Sequence, residues 1–151
     1  MRRARGIGYA YAYLQPTFVS TGANDRVEVI RDMTLTVTRL DDDESVELAW
    51  DEVGTFTFDP ADDSLTYEYV ADAAPLLVAP DSAENPLALF QGPEGWLLTP
   101  GRYEVNLRAT REVAASELEG DFQIEVTEEQ VAFLNEADGT QFLSIPIDGS
   151  D

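Results

Sequence analysis

The segment MTLTVTRLDDDESVELAW, residues 33–50, alternates apolar and polar side chains on both sides of an acidic turn. A period of two is typical of a strand with one buried and one solvent-facing side. Threonine at the polar positions also favours a strand, because β-branched side chains fit a pleated surface. The apolar positions of these two predicted strands are Met33, Leu35, Val37, Val46, Leu48 and Trp50.

The same period recurs through most of the chain, so an all-β fold is predicted. Apolar residues alternate with polar ones over 55–58, 65–69, 103–109 and 122–126, and turn-forming residues separate these segments. Such spacing indicates an antiparallel β-sandwich. We rank an immunoglobulin-like strand order narrowly above a jelly roll. Aromatic residues at in-phase strand positions are expected to pack in the core.

Three segments are interpreted separately. Thr127 and Gln130 have the spacing of a capping box, which predicts one short helix near residues 128–134. Residues 71–93 contain several prolines and two short apolar runs, and we predict a long connection there with a short edge strand. Residues 142–147 are predicted to form a last short strand.

The N-terminal segment differs in charge from the rest of the chain. Residues 1–24 contain three Arg and no acidic residue, whereas residues 25–151 are predicted to form a single acidic β-sandwich domain. The segment is either the first strand of the sheet or an extended arm that docks on a neighbouring subunit. On the second interpretation, a deletion of residues 2–19 abolishes assembly and leaves the sandwich folded. The candidate contact residues of the arm are Arg2, Arg3, Arg5, Tyr9, Tyr11, Tyr13 and Phe18.

The charge of the chain indicates its solvent. Acidic residues number 30 against nine basic ones, all of them Arg, for a formal net charge of -21 at pH 7. Such a charge repels itself in dilute buffer. At molar salt the Debye length falls to about 3 Å and the repulsion is largely screened. We therefore predict a protein adapted to concentrated salt, as in extreme halophiles.

The residue types most often used in catalysis are missing. The chain has no His, Cys or Lys, which excludes Ser-His-Asp and Cys-His arrangements and Lys Schiff bases. It also lacks a Gly-rich phosphate-binding loop, and its acidity opposes nucleic-acid binding. No stretch reaches the roughly 20 apolar residues of a membrane span. We predict a non-enzymatic protein without a cofactor, a membrane span or a specific nucleic-acid partner.

Two acidic loops could offer oxygen ligands to a hard cation such as Ca²⁺. Neither has the spacing of an EF-hand loop, with its central Gly and distal Glu. A solvated acidic loop is the simpler interpretation, so no metal site is predicted. The candidate ligands in these loops are Asp41, Asp43, Asp59, Asp62 and Asp63.

Two segments carry a resemblance to known modules. LTPGRYEVNLRAT, residues 98–110, resembles the penultimate strand of immunoglobulin-like modules, in which a Pro-Gly turn leads into alternating apolar residues. Residues 32–50, a Thr-rich strand followed by an acidic turn, look like the opening of β-sandwich modules in tailed-virus tails and baseplates. The resemblance implies a structural role, because such modules attach, decorate or adapt other virion components.

From these observations we predict a structural subunit of the virion of a virus that infects a halophilic archaeon. Its role there is that of a capsid, decoration or tail component, and its partners are copies of itself or other virion structural proteins. Two alternatives belong to other classes: a cellular surface or adhesion module, and a cation-dependent carbohydrate-binding domain. They would place the chain in the cytoplasm or at the surface of a halophile.

Overall fold

The computed structural model describes residues 2–3, 10–20, 27–61, 64–112, 117–136 and 145–147. These residues form eleven strands and one helix. The elements are β1 (Arg2–Arg3), β2 (Ala10–Leu14), β3 (Phe18–Val19), β4 (Glu28–Arg39), β5 (Ser45–Asp59), β6 (Ser64–Asp72), β7 (Leu76–Val78), β8 (Ala83–Glu84), β9 (Leu87–Gln91), β10 (Gly101–Arg111), β11 (Leu118–Val126) and α1 (Glu128–Glu136).

Nine of these strands form one antiparallel sheet. Its order is β1-β2-β9-β5-β4-β10-β11, with β6 attached to β5 and β7 to β4, and β3 pairs with β8 separately. The prediction of an all-β, antiparallel, sandwich-like fold is confirmed. The narrower preference for an immunoglobulin-like over a jelly-roll order stays a prediction.

The sheet curls because its two longest strands change neighbours along one edge. β4 pairs with β7 at residues 28–30 and with β5 at 34–38. β5 then pairs with β4 at 45–49 and with β6 at 52–59. The register of β5 shifts between Trp50 and Glu52 and between Val53 and Gly54. Such irregularities bend a strand and increase its twist, so the two halves of the sheet fold over a common core.

The inward face of the sheet is the one predicted from residues 33–50. Leu35 lies opposite Leu48 of β5 and Leu107 of β10, and directly opposite residues share a face. On the outward face Thr38 and Ser45 join β4 to β5 by a hydroxyl hydrogen bond of 3.1 Å. The largest fully buried side chains are Phe90, Ile30, Met33, Leu48 and Val126.

β9 corrects the prediction for residues 71–93. Those residues were expected to form a long connection with an edge strand, but β9 lies inside the sheet between β2 and β5. The exposed fractions of Ala88, Leu89 and Phe90 are 0%, 2% and 0%. An uninterrupted apolar run is the pattern of a strand covered on both faces. The prolines at 86 and 93 flank this strand and do not interrupt it.

The predicted helix is confirmed together with its cap. The backbone N–H of Gln130 donates to Thr127 Oγ1 at 3.2 Å, and the backbone N–H of Thr127 donates to Gln130 Oε1 at 2.8 Å. This reciprocal pair is the capping box expected from the sequence. α1 contacts β1, and its Val131 packs against the core. Among the described residues no helix is long and apolar enough to cross a bilayer.

The capping box predicts a local change in stability. Thr127→Ala removes the side-chain acceptor and should destabilise α1 by about 1 kcal/mol. Amides of residues 129–136 should then exchange about fivefold faster in hydrogen-exchange mass spectrometry, while those of β9 keep their rate. Thr127→Ser retains the hydroxyl and serves as the control. Equal exchange of α1 in the wild-type and alanine proteins would contradict the assigned cap.

The C-terminal prediction is only partly covered by the structure. A strand was predicted over residues 142–147, of which 142–144 lie outside the described residues. Residues 145–147 are not in a strand. Ile145 is half-buried and packs against the core.

Candidate functional site

The structure places the described N-terminal candidate residues in or beside the main sheet. Arg2 and Arg3 form β1, which pairs with β2, and β2 pairs with the central strand β9. Tyr11 and Tyr13 belong to β2. Arg5 and Tyr9 lie outside the described residues.

Phe18 and Tyr13 both make contacts within their own chain. Phe18 lies in β3 and is a member of the core, with 9% of its surface exposed. The ring of Tyr13 packs against Phe56 of β5 and Tyr67 of β6, with centroid separations of 5.0 and 4.7 Å. A deletion of residues 2–19 would remove three strands and these contacts. It would therefore not separate a loss of assembly from a loss of folding.

An aromatic cluster, here defined as Tyr13, Phe56 and Tyr67, forms where β2 meets the β5–β6 hairpin. The rings of Phe56 and Tyr67 lie 5.4 Å apart. The hydroxyl of Tyr67 donates to Glu52 Oε2 at 2.8 Å. Its ring lies so close to Gly54 that a Cβ at that position would collide with it. Glycine at 54 thus lets the ring cross the neighbouring strand and reach Glu52.

Burial raises the pKa of the Tyr67 hydroxyl above its ordinary value of 10.0, and the hydrogen bond to Glu52 adds to the shift. The neutral hydroxyl is therefore favoured in the folded state. Its stabilising contribution is complete below the unfolded-state pKa. It is lost as the pH rises above that value toward the higher folded-state pKa.

Tyr67→Phe tests this hydrogen bond. At neutral pH the substitution should lower the free energy of unfolding by about 1 kcal/mol, because Glu52 loses its donor. Above pH 10 the variant should lose stability less steeply than the wild type, since one raised tyrosine pKa is gone. Urea unfolding at several pH values measures both effects. Parallel pH profiles for the two proteins would contradict the assignment.

The hairpin of β5 and β6 extends beyond the rest of the sheet. β9 pairs with β5 only as far as residue 54, so among the described residues the segment 55–59 pairs with β6 alone. The side chains of Phe58 and Tyr69 are each 54% exposed, and Val70 is 57% exposed. The expectation that in-phase aromatic residues pack in the core is wrong for Phe58 and Tyr69.

The exposed apolar side chains lie mainly on one face of the hairpin. Phe58 lies opposite Leu65, and Phe56 lies opposite Tyr67, so these four side chains share a face. We call this face, made of Phe56, Phe58, Leu65, Tyr67 and Tyr69, the hairpin face. Its inner end is covered by Tyr13. Phe56 and Leu65 line an apolar cavity that Phe122 and Ile147 also line, and Phe58 is exposed.

The acidic candidates take part in turns at opposite ends of β5. Arg39 is bridged to Asp41 at 3.7 Å and to Asp42 at 3.6 Å, and Asp43 has a left-handed φ of 57°. At the other end, Asp59 Oδ1 accepts a hydrogen bond from the backbone N–H of Ala61 at 2.9 Å. Asp62 and Asp63 lie outside the described residues. Within the described residues, no group of three or more His, Cys, Asp or Glu side chains is arranged to hold a metal ion.

Sequence reasoning missed the hairpin face as a candidate site. The alternation of Phe56 and Phe58 with threonines shows that they share a face, but not whether another element covers it. The structure shows what the alternation did not: β5 is a single strand of 15 residues, longer than the strands that pair with it. No protein-family model, curated protein or solved structure matches the chain.

Proposed function

We propose that this protein is a non-enzymatic structural subunit that binds another protein subunit through the hairpin face in concentrated salt. The proposed setting is the particle of a virus that infects a halophilic archaeon. The observation that carries the proposal is the exposure of Phe58 on the two-stranded projection and of Tyr69 on β6 at the base of that projection. The residue composition supports a structural role, because the chain has no His, Cys or Lys.

Among the described residues, no third strand pairs with the outer end of the hairpin. An isolated two-stranded hairpin is at best marginally stable in water, and packing of its apolar face against another element stabilises it. Tyr13 provides such packing only at the inner end. A neighbouring subunit on the outer end would bury Phe58 and Leu65, and its contact could extend along β6 to Tyr69.

Concentrated salt favours this association for two reasons. The net charge of -21 on each chain opposes close approach at low ionic strength, and molar salt screens that repulsion. Salts excluded from protein surfaces also strengthen the burial of apolar groups. Assembly should therefore increase with salt concentration. Association driven by ion pairs would instead decrease.

The N-terminal segment contributes to assembly indirectly in this proposal. Tyr13 of β2 supports the inner end of the hairpin face. The exposed outer end is therefore held in a fixed position for a partner. Arg2, Arg3, Arg5 and Tyr9 remain proposed contacts of the arm.

Mass measurement by light scattering after size exclusion tests the proposal. In about 3 M salt, where the Debye length is short, the mass should rise with protein concentration above the 16.7 kDa of one chain. A mass of one chain at every concentration would overturn association with copies of itself. Peptide mass spectrometry of purified particles tests the virion setting, which requires this chain at a stoichiometric level.

A cation-dependent carbohydrate-binding domain is the alternative, because exposed Phe58 and Tyr69 could also stack on sugar rings. It predicts binding to a glycan array that is abolished by EDTA. The assembly proposal predicts a mass in concentrated salt that EDTA does not change.

A further inference from the structure

β11 (Leu118–Val126) forms one end of the main sheet. It pairs with β10 on one edge, and no strand in the described part of the chain pairs with its other edge. As far as the described residues show, its outer edge presents a row of backbone N–H and C=O groups, which is a template for a strand of another chain.

The side chains of β11 restrict how a second β11 could pair with it. Glu119, Asp121, Gln123 and Glu125 alternate with Gly120, Phe122, Ile124 and Val126. In an antiparallel pair related by a two-fold axis (dyad), side chains directly opposite each other lie on the same face of the sheet. The dyad must therefore pass beside one residue, which then lies opposite its own copy, and cannot pass between two residues. Each choice of residue sets which acidic side chains oppose one another.

Only one extended register avoids opposed acidic side chains. A dyad at Phe122 places Glu119 opposite Glu125 of the second copy. A dyad at Gln123 places Asp121 opposite Glu125 of the second copy. Within the strand, a dyad at Ile124 pairs residues 122–126 of the two copies and opposes no two acidic residues, and like charges directly opposite each other are destabilising.

The register centred on Ile124 also gives favourable neighbours. Phe122 lies opposite Val126 of the second copy, which extends the apolar face of the sheet. Gln123 lies opposite Glu125 of the second copy. Because Gln123 Oε1 already accepts from Arg102 Nη2 at 3.4 Å, its amide N–H groups can donate to that carboxylate.

Gly120 is consistent with the same register. A Cβ at this position would meet nothing within 4 Å in its own chain, so internal packing does not require glycine. Glycine inside a strand often marks the close approach of another backbone. In the Ile124-centred pair the strand of the second copy ends at Val126, so Gly120 lies beyond the paired residues, on the side where α1 of the second copy begins.

We propose that a second copy of this chain adds its β11 antiparallel to this edge, with the two-fold axis at Ile124. This interface rests on the proposed structural role and names one partner, the chain itself. It lies on a different strand from the hairpin face, so one copy can use both surfaces. A subunit with two interfaces can join an assembly larger than a pair.

Register-specific cross-linking tests the proposal, since the natural chain contains no cysteine. Gln123→Cys and Glu125→Cys proteins are mixed in equal amounts in about 3 M salt and oxidised. Directly opposite residues have Cα atoms about 4.5–5.5 Å apart, within the reach of a disulfide. The mixture should give at least fivefold more covalent dimer than either variant alone. A mixture of Asp121→Cys and Glu125→Cys is the control for the Gln123-centred register.

The outcomes separate this interface from the proposed function. Preferential cross-linking of the 123/125 mixture supports the interface. If the wild-type mass rises with concentration but no mixture cross-links preferentially, the β11 interface is overturned and the structural role stands. A wild-type mass of 16.7 kDa at every concentration would overturn the β11 interface and self-association through the hairpin face, and the virion setting would then depend on the particle measurement alone.

A charge substitution gives an independent measurement. Gln123→Glu would place two acidic residues opposite each other twice in the pair. In about 0.5 M salt it should raise the dimer dissociation constant roughly tenfold. Thr110→Glu adds the same charge at an exposed position of β10 and should change the constant less than twofold. Equal effects of the two substitutions would overturn the proposed register.

Discussion

Phe90→Ala is expected to lower the free energy of unfolding by about 3–5 kcal/mol, the largest effect of any substitution considered for this protein. Phe90 is fully buried, and its strand pairs with β2 on one side and β5 on the other. Removing the ring leaves a cavity at the centre of the curled sheet, and the neighbouring strands cannot close it without losing their register.

The matched control for this prediction is Phe58→Ala. The same atoms are removed from a side chain that is 54% exposed, so the free energy of unfolding of the monomer should fall by less than about 1 kcal/mol. Guanidinium unfolding cannot maintain a fixed ionic strength, so urea in about 3 M salt is the suitable measurement. Similar losses for the two variants would contradict the placement of β9 inside the sheet.

Replacement of Phe58 and Tyr69 by serine should abolish association through the hairpin face. The double variant removes the two most exposed aromatic side chains of that face. The mass measured by light scattering should fall below that of the wild-type assembly, because the contacts through this face are lost. Any contacts through other surfaces would remain. The mass should then no longer rise when salt is increased from about 1 M to 3 M.

Leu77→Ser provides the control for the hairpin variant. Leu77 is 61% exposed on β7, away from the hairpin, and its replacement should leave the mass unchanged. The folded state of each variant is checked by the hydrogen-exchange protection of β9. A double serine variant that assembles like the wild type would contradict the role given to the hairpin face.

The strand pattern of the fold could be predicted because it depends on side chains that are local in sequence. Residues 33–50 alternate with a period of two, and the structure places their apolar positions on the inward face. The capping box at Thr127 and Gln130 was equally local, because both hydrogen bonds lie within one turn of helix. Such features can be predicted from the local sequence, without knowing which strands are neighbours.

The position of β9 could not be predicted in the same way. A run such as Leu87–Ala88–Leu89–Phe90 has no alternation, so its periodicity does not distinguish a central strand from a short apolar connection. The difference is set by pairing with β2 and β5, which lie distant in sequence. The strand order depends on these non-local pairings.

The candidate site was predictable only in part. Sequence reasoning selected Tyr13, and the structure places it at the inner end of the hairpin face. Sequence reasoning assigned Phe58 to the core. Alternation shows that side chains share a face, but not whether another element packs over that face. Exposure of that face depends on which elements pack over it, and these contacts, such as that of Tyr13, join residues distant in sequence.

The central claim is that another subunit covers the outer end of the hairpin face. Hydrogen exchange of peptides spanning residues 55–59 and 64–70 measures this directly, in about 3 M salt, at concentrations below and above association. We predict that exchange in both segments slows as the mass rises, while exchange in β7 is unchanged. A mass that rises without any change in exchange of the hairpin would contradict the account.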